Sequence, residues 1–309
     1  MGLGDPSVEE PGTLTVQKAV SHYTEIALRV GAYGIALAAP GLPGATLEHL
    51  GPAPEAWPQW SLERAAWPAE VPGALPESLD ERQMALPLVL GGSLLIDRDA
   101  HLMRLSVPED QPAESLVHPW LSPAFSLHVL WGGGLAIHAG VVEIDGRAWG
   151  VIGTKGAGKT TMLAGLARAG AAVMSDDIAA VHGDTVLGGP RFVDLRRGAA
   201  QAAFPEAEPL GRAGVRSRWR LPTGPAPMVA PLAGWWLLEW GDALAIEEVP
   251  IVERVPRLAE ALLIPHAPRE PHALLDQTMR PMLRLTRPRR FDALDAACAA
   301  LIEAAQQRN

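Results

Sequence analysis

The chain has 309 residues, 48% of them hydrophobic and 20% charged, with a formal net charge of -9. That length suits one large or two modest domains with a sizeable core. The acidic balance argues against nonspecific binding to nucleic acid or to an anionic membrane, both of which need a basic face. No run approaches the roughly 20 apolar residues of a membrane span, and Met1-Gly2-Leu3-Gly4-Asp5-Pro6 lacks the basic and apolar regions of a secretory signal. The single cysteine, Cys298, can form no internal disulfide and reads as a core filler. A cytoplasmic address is therefore expected. Peptides, proteins and small molecules remain as partners, with no nucleic acid and no membrane, and a homo-oligomer is left open.

Residues 1–13, rich in Gly, Pro and Glu, read as a loose terminus. From Thr24, Ile26, Leu28 and Val30 alternate, Gly31-Ala32 reads as a turn, and Tyr33, Ile35 and Leu37 alternate again, which predicts a β-hairpin. Pro40 to Pro76 is dense in Pro, Gly and Ala and predicts loop with short helical turns. Three of the ten tryptophans, Trp57, Trp60 and Trp67, stand in that stretch. They are expected to cap the core under loops, an exposed peptide-docking surface being the alternative. A second hairpin is predicted around Asp97-Arg98-Asp99, so residues 1–113 read as a β-rich N-terminal domain.

Residues 114–309 read as an α/β domain. Ser115 to Trp131 has helical apolar spacing broken by Pro119 and Pro123, ending at Gly132-Gly133-Gly134. Leu135 to Ile144 is a strand run that carries His138, Asp145-Gly146 is a hairpin turn, and Ala148 to Ile152 is a buried strand. Thr161 to Ala169 predicts a helix stopped by Gly170. Ala171 to Ser175 is a short strand ending in Asp176-Asp177, followed by a hairpin at Gly183-Asp184 and a strand over Arg191 to Arg196. Gly211 to Arg220, with Arg212, Arg216, Arg218 and Arg220, reads as a mobile basic loop. Trp235 to Trp240 and Met282 to Leu285 predict strands, and Val255 to Leu263 and Phe291 to Ala305 predict helices.

Between the strand ending at Ile152 and the following helix lies Gly153-Thr154-Lys155-Gly156-Ala157-Gly158-Lys159-Thr160, which fits G-x-x-x-x-G-K-[ST] without a mismatch. Glycines there let successive backbone N–H groups turn inward around phosphates, Lys159 reaches the β and γ oxygens, and the Thr160 hydroxyl can ligate Mg²⁺. Thr161 adjoins this set. The chain has only three lysines, Lys18, Lys155 and Lys159, and two of them fall inside this loop. A compact ammonium at the β/γ-phosphates is not interchangeable with a planar guanidinium. Binding of a nucleoside triphosphate with Mg²⁺ is the expectation, with ATP as the named cofactor and GTP or pyrophosphate left open as the donor.

Ile137-His138-Ala139-Gly140, the glycine loop and Ser175-Asp176-Asp177 follow one another at a spacing that resembles the catalytic domain of HPr kinase/phosphorylase and the wider group of HPr-kinase-related proteins. The resemblance covers roughly residues 115 to 305. It reaches weakly to Ala27-Leu28-Arg29-Val30-Gly31, similar to the opening strand of stand-alone kinases that modify ribosomally made peptides such as lasso-peptide precursors. It implies a P-loop kinase core of HPr-kinase type and transfer of a phosphoryl group from ATP to a serine hydroxyl of a peptide or protein. By the same resemblance Asp176 is the general base, Asp177 holds Mg²⁺ or the base, His138 sits beside the phosphates, and Asp194 of Asp194-Leu195-Arg196 contacts the metal. Arg218 and Arg220 are candidates for neutralising the transferring group. Lys155 departs from the small residue usual in the family, and Arg197 stands where glycine is expected. No glycine-rich signature of the phosphorylase activity follows, which argues against reversal and against HPr as the substrate. A noncatalytic or slowly hydrolysing nucleotide-binding regulator and a small-molecule kinase remain the alternatives.

Overall fold

A computed structural model describes residues 1, 29–66, 82–88, 92–213, 216–265 and 271–308. Most of the expected loose terminus, positions 24–28 of the first hairpin, Lys18 and Trp67 lie outside the described residues. Chain order begins with β1 (Val30–Ala32), β2 (Ile35–Ala38), β3 (Gly51–Pro52), β4 (Gln59–Arg64), β5 (Gln83–Pro87), β6 (Ser93–Asp97) and β7 (Leu102–Ser106). They form one sheet in the order β3-β1-β2-β4-β7-β6-β5. The first hairpin turns at Tyr33 and Gly34, whose φ values are 53° and 90°, so Gly31-Ala32 is strand and not the expected turn. β4 lies inside the stretch expected to be loop. Trp60 and Leu62 alternate inward there, β4 lying between its parallel neighbours β2 and β7, and tertiary pairing overrides the Pro-rich flanks.

The second half contains α1 (Ser122–Trp131), β8 (Leu135–Ile137), β9 (Gly140–Ile144), β10 (Arg147–Ile152), α2 (Lys159–Arg168), β11 (Ala172–Ser175), β12 (Ala179–His182), β13 (Thr185–Leu187) and β14 (Phe192–Leu195). It continues through α3 (Arg197–Ala203), β15 (Glu208–Ala213), β16 (Arg216–Pro222), β17 (Val229–Trp240), β18 (Ala245–Glu248), α4 (Ile251–Glu260), α5 (Pro271–Thr278), β19 (Met282–Arg287) and α6 (Leu294–Gln306). The main sheet runs β11-β9-β10-β17-β13-β12-β8, with β19 on β17 and β18 on β19. Within it β10, β17 and β19 are parallel neighbours, so their carboxyl ends open on one edge, where open α/β sheets bind ligands.

The expected run from Leu135 to Ile144 is two strands. β8 pairs with β12 and β9 with β10 and β11, and the chain bends between them at His138, which is exposed and not on a strand. The expected mobile basic loop is a β-ribbon: β16 pairs with both β14 and β15. Alternation explains it, because Trp219 and Leu221 pack on the core while Arg218 and Arg220 point the other way.

α2 and α6 pack together over the sheet. α6 buries Leu294, Ala297, Cys298 and Leu301 at helical spacing, and Gly165 of α2 lets Cys298 approach so closely that a Cβ there would lie 2.7 Å from its sulfur. Burial pushes the Cys298 thiol up to about 12, which makes it an inert packing group. The boundary between residues 113 and 114 is crossed by one apolar cluster, in which Leu62, Leu94, Met103 and Leu105 meet Leu116, Trp120, Phe125 and Val129. The β-rich half and the α/β half therefore share a core. Trp60 is buried in it, and Trp57 is buried in a separate small cluster with Ala36 and Met228. Among the described residues, no helix is long and apolar enough to cross a membrane.

Candidate active site

β10 ends at Ile152 and delivers the chain into the glycine loop, and α2 starts at Lys159. Gly156 and Gly158 have φ values of 91° and 86°, a region that side-chain-bearing residues rarely adopt. Gly158 is the N-cap of α2 and carries no side-chain cap, so the first N–H groups of α2 are left for a ligand. Lys159 is buried, its Nζ donating to Gly153 O at 2.9 Å. Burial lowers its pKa against the pull of Asp177 and Asp176. The loop is buttressed from β19. Arg287, itself buried, donates to Ala157 O at 2.6 Å, and burial pushes its pKa down to about 10.

The loop forms one wall of a cleft of about 630 Å³. Lys155, Lys159, Thr160, Thr161, His138, Asp176, Asp177, Asp194 and Arg218 all line it, whereas Arg220 does not. Eight Lys and Arg side chains line the cleft against three carboxylates, in a chain whose overall charge is -9. Such a site concentrates polyanions.

Asp176 and Asp177 leave the carboxyl end of β11 in different surroundings. The Asp176 side chain is buried: Oδ2 accepts the Asp194 N–H at 3.1 Å, while Oδ1 is buried without a hydrogen-bond partner. Burial, reinforced by the charge of Asp177, pushes its pKa up to about 7. For Asp177 burial alone would also raise the pKa. The hydrogen bond from His118 and the fields of His118, His138 and Arg218 prevail and hold it well below the usual carboxylate range. His118 Nε2 lies 3.1 Å from Asp177 Oδ2, and His138 Nδ1 donates to Asp177 O at 3.2 Å. Two titratable groups pushed apart in this way suit separate acid–base and charge-holding roles.

Asp194 is committed elsewhere. Its carboxylate, 1% exposed, receives Arg220 Nε at 2.9 Å and Nη2 at 3.0 Å. Arg220 also donates to Glu114 O at 2.6 Å and stacks over Phe192 at 3.5 Å. Expected as a metal contact and as a catalytic cation, Asp194 and Arg220 pair with each other inside the fold in this geometry, with Asp194 also lining the cleft. Arg218 does face the cleft, with Nη1 3.3 Å from His118 Nε2 and 3.4 Å from Asp194 Oδ2.

For a divalent cation, Thr160 and Asp177 offer hard oxygen donors on the cleft wall, and the orphaned Asp176 Oδ1 belongs to the residue preceding Asp177. This donor set fits Mg²⁺, which is held by one or two carboxylates together with phosphate oxygens. Among the described residues no three His, Cys, Asp or Glu side chains group tightly enough to hold an ion alone.

Three residues of the site escape sequence reasoning. His118 sits in the Pro-interrupted segment before α1, where no spacing marks it. Tyr33 comes from the distant β1–β2 turn. Its ring occupies the space a Cβ at Gly189 would need, and burial together with the charges of Asp177 and Asp176 raises its phenol pKa. Arg287 lies on β19, and only its place after an apolar strand at the sheet's ligand edge could have suggested it.

No family model matches the chain, and no curated protein matches it. Among solved structures it is similar to the Hpr(Ser) kinase/phosphatase from Coxiella burnetii, at 9% identity and a TM-score of 0.27, over 56% of this chain and 96% of that one.

Proposed function

We propose that the protein is an ATP-dependent, Mg²⁺-requiring kinase that phosphorylates a serine hydroxyl of a peptide or protein. The observation that carries this reading is a pair of adjacent carboxyls in unlike surroundings, Asp176 buried with one oxygen unpartnered and Asp177 held ionised by His118, in one cleft with a helix-opening glycine loop and its lysine. A proton acceptor works best when its pKa lies near the working pH, and a site that only binds nucleotide has no use for one. The loop N–H groups and Lys159 bind and orient the phosphates, and Asp176 takes the proton from the acceptor hydroxyl. Arg218 contributes positive charge at the transferring group. Thr160 and the ionised Asp177 would hold Mg²⁺, which when bound neutralises phosphate charge. His118 and His138 keep Asp177 ionised and oriented. The serine acceptor and its peptide setting, a ribosomally made precursor included, rest on the order of I-H-A-G, the glycine loop and S-D-D along the chain.

The test is transfer from γ-labelled ATP with Mg²⁺ to serine-containing peptides, read by mass and by position of the phosphate. Nucleotide binding without transfer to any hydroxyl would favour the regulator reading. Transfer to small alcohols but not to peptides would favour a small-molecule kinase.

A further inference from the structure

The end of the cleft away from the aspartates is built differently. Trp240 closes β17 with its ring 39% exposed, whereas Trp149, Trp235 and Trp236 are fully buried in the sheet. The exposed indole is nonetheless fixed in place: Nε1 donates to Gly156 O at 3.1 Å, and the guanidinium of Arg287 stacks 4.1 Å from the ring centre. A second guanidinium, Arg289, lies at 5.8 Å. Phe291, 46% exposed, lines the same cleft together with Pro288 and Leu294. These residues come from and just after the carboxyl ends of β17 and β19, next to β10, whose carboxyl end feeds the loop.

We propose that Trp240 and Phe291 form the nucleobase site, taking a purine ring by stacking. The inference rests on the reading of the loop as a phosphate cradle. A nucleotide whose phosphates lie there must place its base elsewhere in the cleft, and the side toward Asp176, Asp177 and Arg218 is polar and reserved for the acceptor. Among the described residues lining the cleft, Trp240 and Phe291 are the aromatic ones, and base–aromatic stacking needs ring faces that are exposed and held still. The polar groups beside them are guanidiniums, which only donate hydrogen bonds. A donor there matches N7, an acceptor that adenine and guanine share and pyrimidines lack. Purines also stack over a larger area. The site therefore selects purine over pyrimidine nucleotides.

Calorimetric titration with Mg²⁺ complexes of ATP, CTP and ribose 5-triphosphate tests this, because the three probes carry the same triphosphate. The wild-type protein should bind ATP more tightly than ribose 5-triphosphate by on the order of tenfold or more, with CTP weaker than ATP. Trp240→Leu should erase the advantage of ATP over ribose 5-triphosphate, with any weakening from the lost Gly156 contact shared equally by both probes. Trp240→Phe, which retains a ring but not the indole N–H donated to Gly156, should retain most of that advantage. Equal losses for ATP and ribose 5-triphosphate in Trp240→Leu would make the indole a strut of the loop and overturn the proposal. Equal wild-type affinities for ATP and ribose 5-triphosphate, or for ATP and CTP, would overturn it while leaving the phosphate cradle intact. Failure of the wild-type protein to bind any of the three would sink the cradle and the base site together.

Discussion

Arg220→Ala removes the main partner of a carboxylate that water cannot reach. Asp194 is 1% exposed and loses two charge-assisted hydrogen bonds, at 2.9 and 3.0 Å, while the Glu114 carbonyl loses one at 2.6 Å and Phe192 loses its stacked guanidinium. Breaking a buried ion pair from one side costs about 3–5 kcal/mol, because the remaining charge is stranded. Arg218 at 3.4 Å and His118 at 3.9 Å stay near Asp194 and offset part of the loss, so the expected cost is about 3 kcal/mol, the low end of that range. Urea unfolding followed by circular dichroism measures it as a shift in midpoint at constant slope. The double variant Asp194→Leu/Arg220→Met should recover part of the stability, since an apolar pair of similar volume removes the stranded carboxylate, while Arg218 loses its 3.4 Å contact. Arg220→Ala within about 1 kcal/mol of wild type, the ceiling for an exposed ion pair, would refute the assignment of this pair to the fold.

Three further outcomes follow from the same geometry. Lys159→Ala should abolish phosphoryl transfer while leaving the fold intact, checked by turnover and by circular dichroism; retained transfer would contradict the role of the loop. Arg218→Ala should lower the transfer rate more than nucleotide affinity, as single-turnover assays and calorimetry would report, because its guanidinium lines the cleft and makes one contact to Asp194, at 3.4 Å, against the two shorter ones of Arg220. In the protein free of metal and nucleotide, the raised pKa of Asp176 means that the native state holds its proton more tightly than the unfolded chain. Its contribution to stability is then fully present below the ordinary carboxylate range and is lost as pH rises through about 7. Asp176→Asn should accordingly gain stability over wild type across that window, and parallel urea midpoints from pH 5 to 8 would show the gap widening or its absence.

Features whose chemistry is local were legible in the sequence. The glycine loop is eight consecutive residues with one geometric purpose, and the Asp145-Gly146 turn and the hairpin at Asp97 to Asp99 follow from short-range backbone preferences. Features set by distant packing were not. The alternation of Arg216, Arg218 and Arg220 with Ser217, Trp219 and Leu221 was present as a strand signal, but its arginines and Gly211 suggested a loop until β14 supplied a partner. β4 was hidden among prolines for the same reason. His138 reads as strand because apolar residues flank it on both sides, yet the break there lets β8 and β9 join different neighbours. His118 reaches Asp177, and Tyr33 comes near enough to feel the charge of both aspartates, only through the shared core of the two halves, a relation that no spacing in one dimension encodes.

The central claim is that Asp176 accepts the proton of an acceptor hydroxyl beside a triphosphate held by the glycine loop. Asp176→Asn tests it most directly, because the amide keeps an oxygen for the Asp194 N–H but cannot take a proton. Mg-ATP affinity by calorimetry should stay close to wild type, and transfer to a serine peptide should fall by a factor on the order of 10² to 10⁴. An affinity loss as large as the rate loss would make Asp176 a metal ligand and hand the base role to Asp177. Undiminished transfer would contradict the account outright.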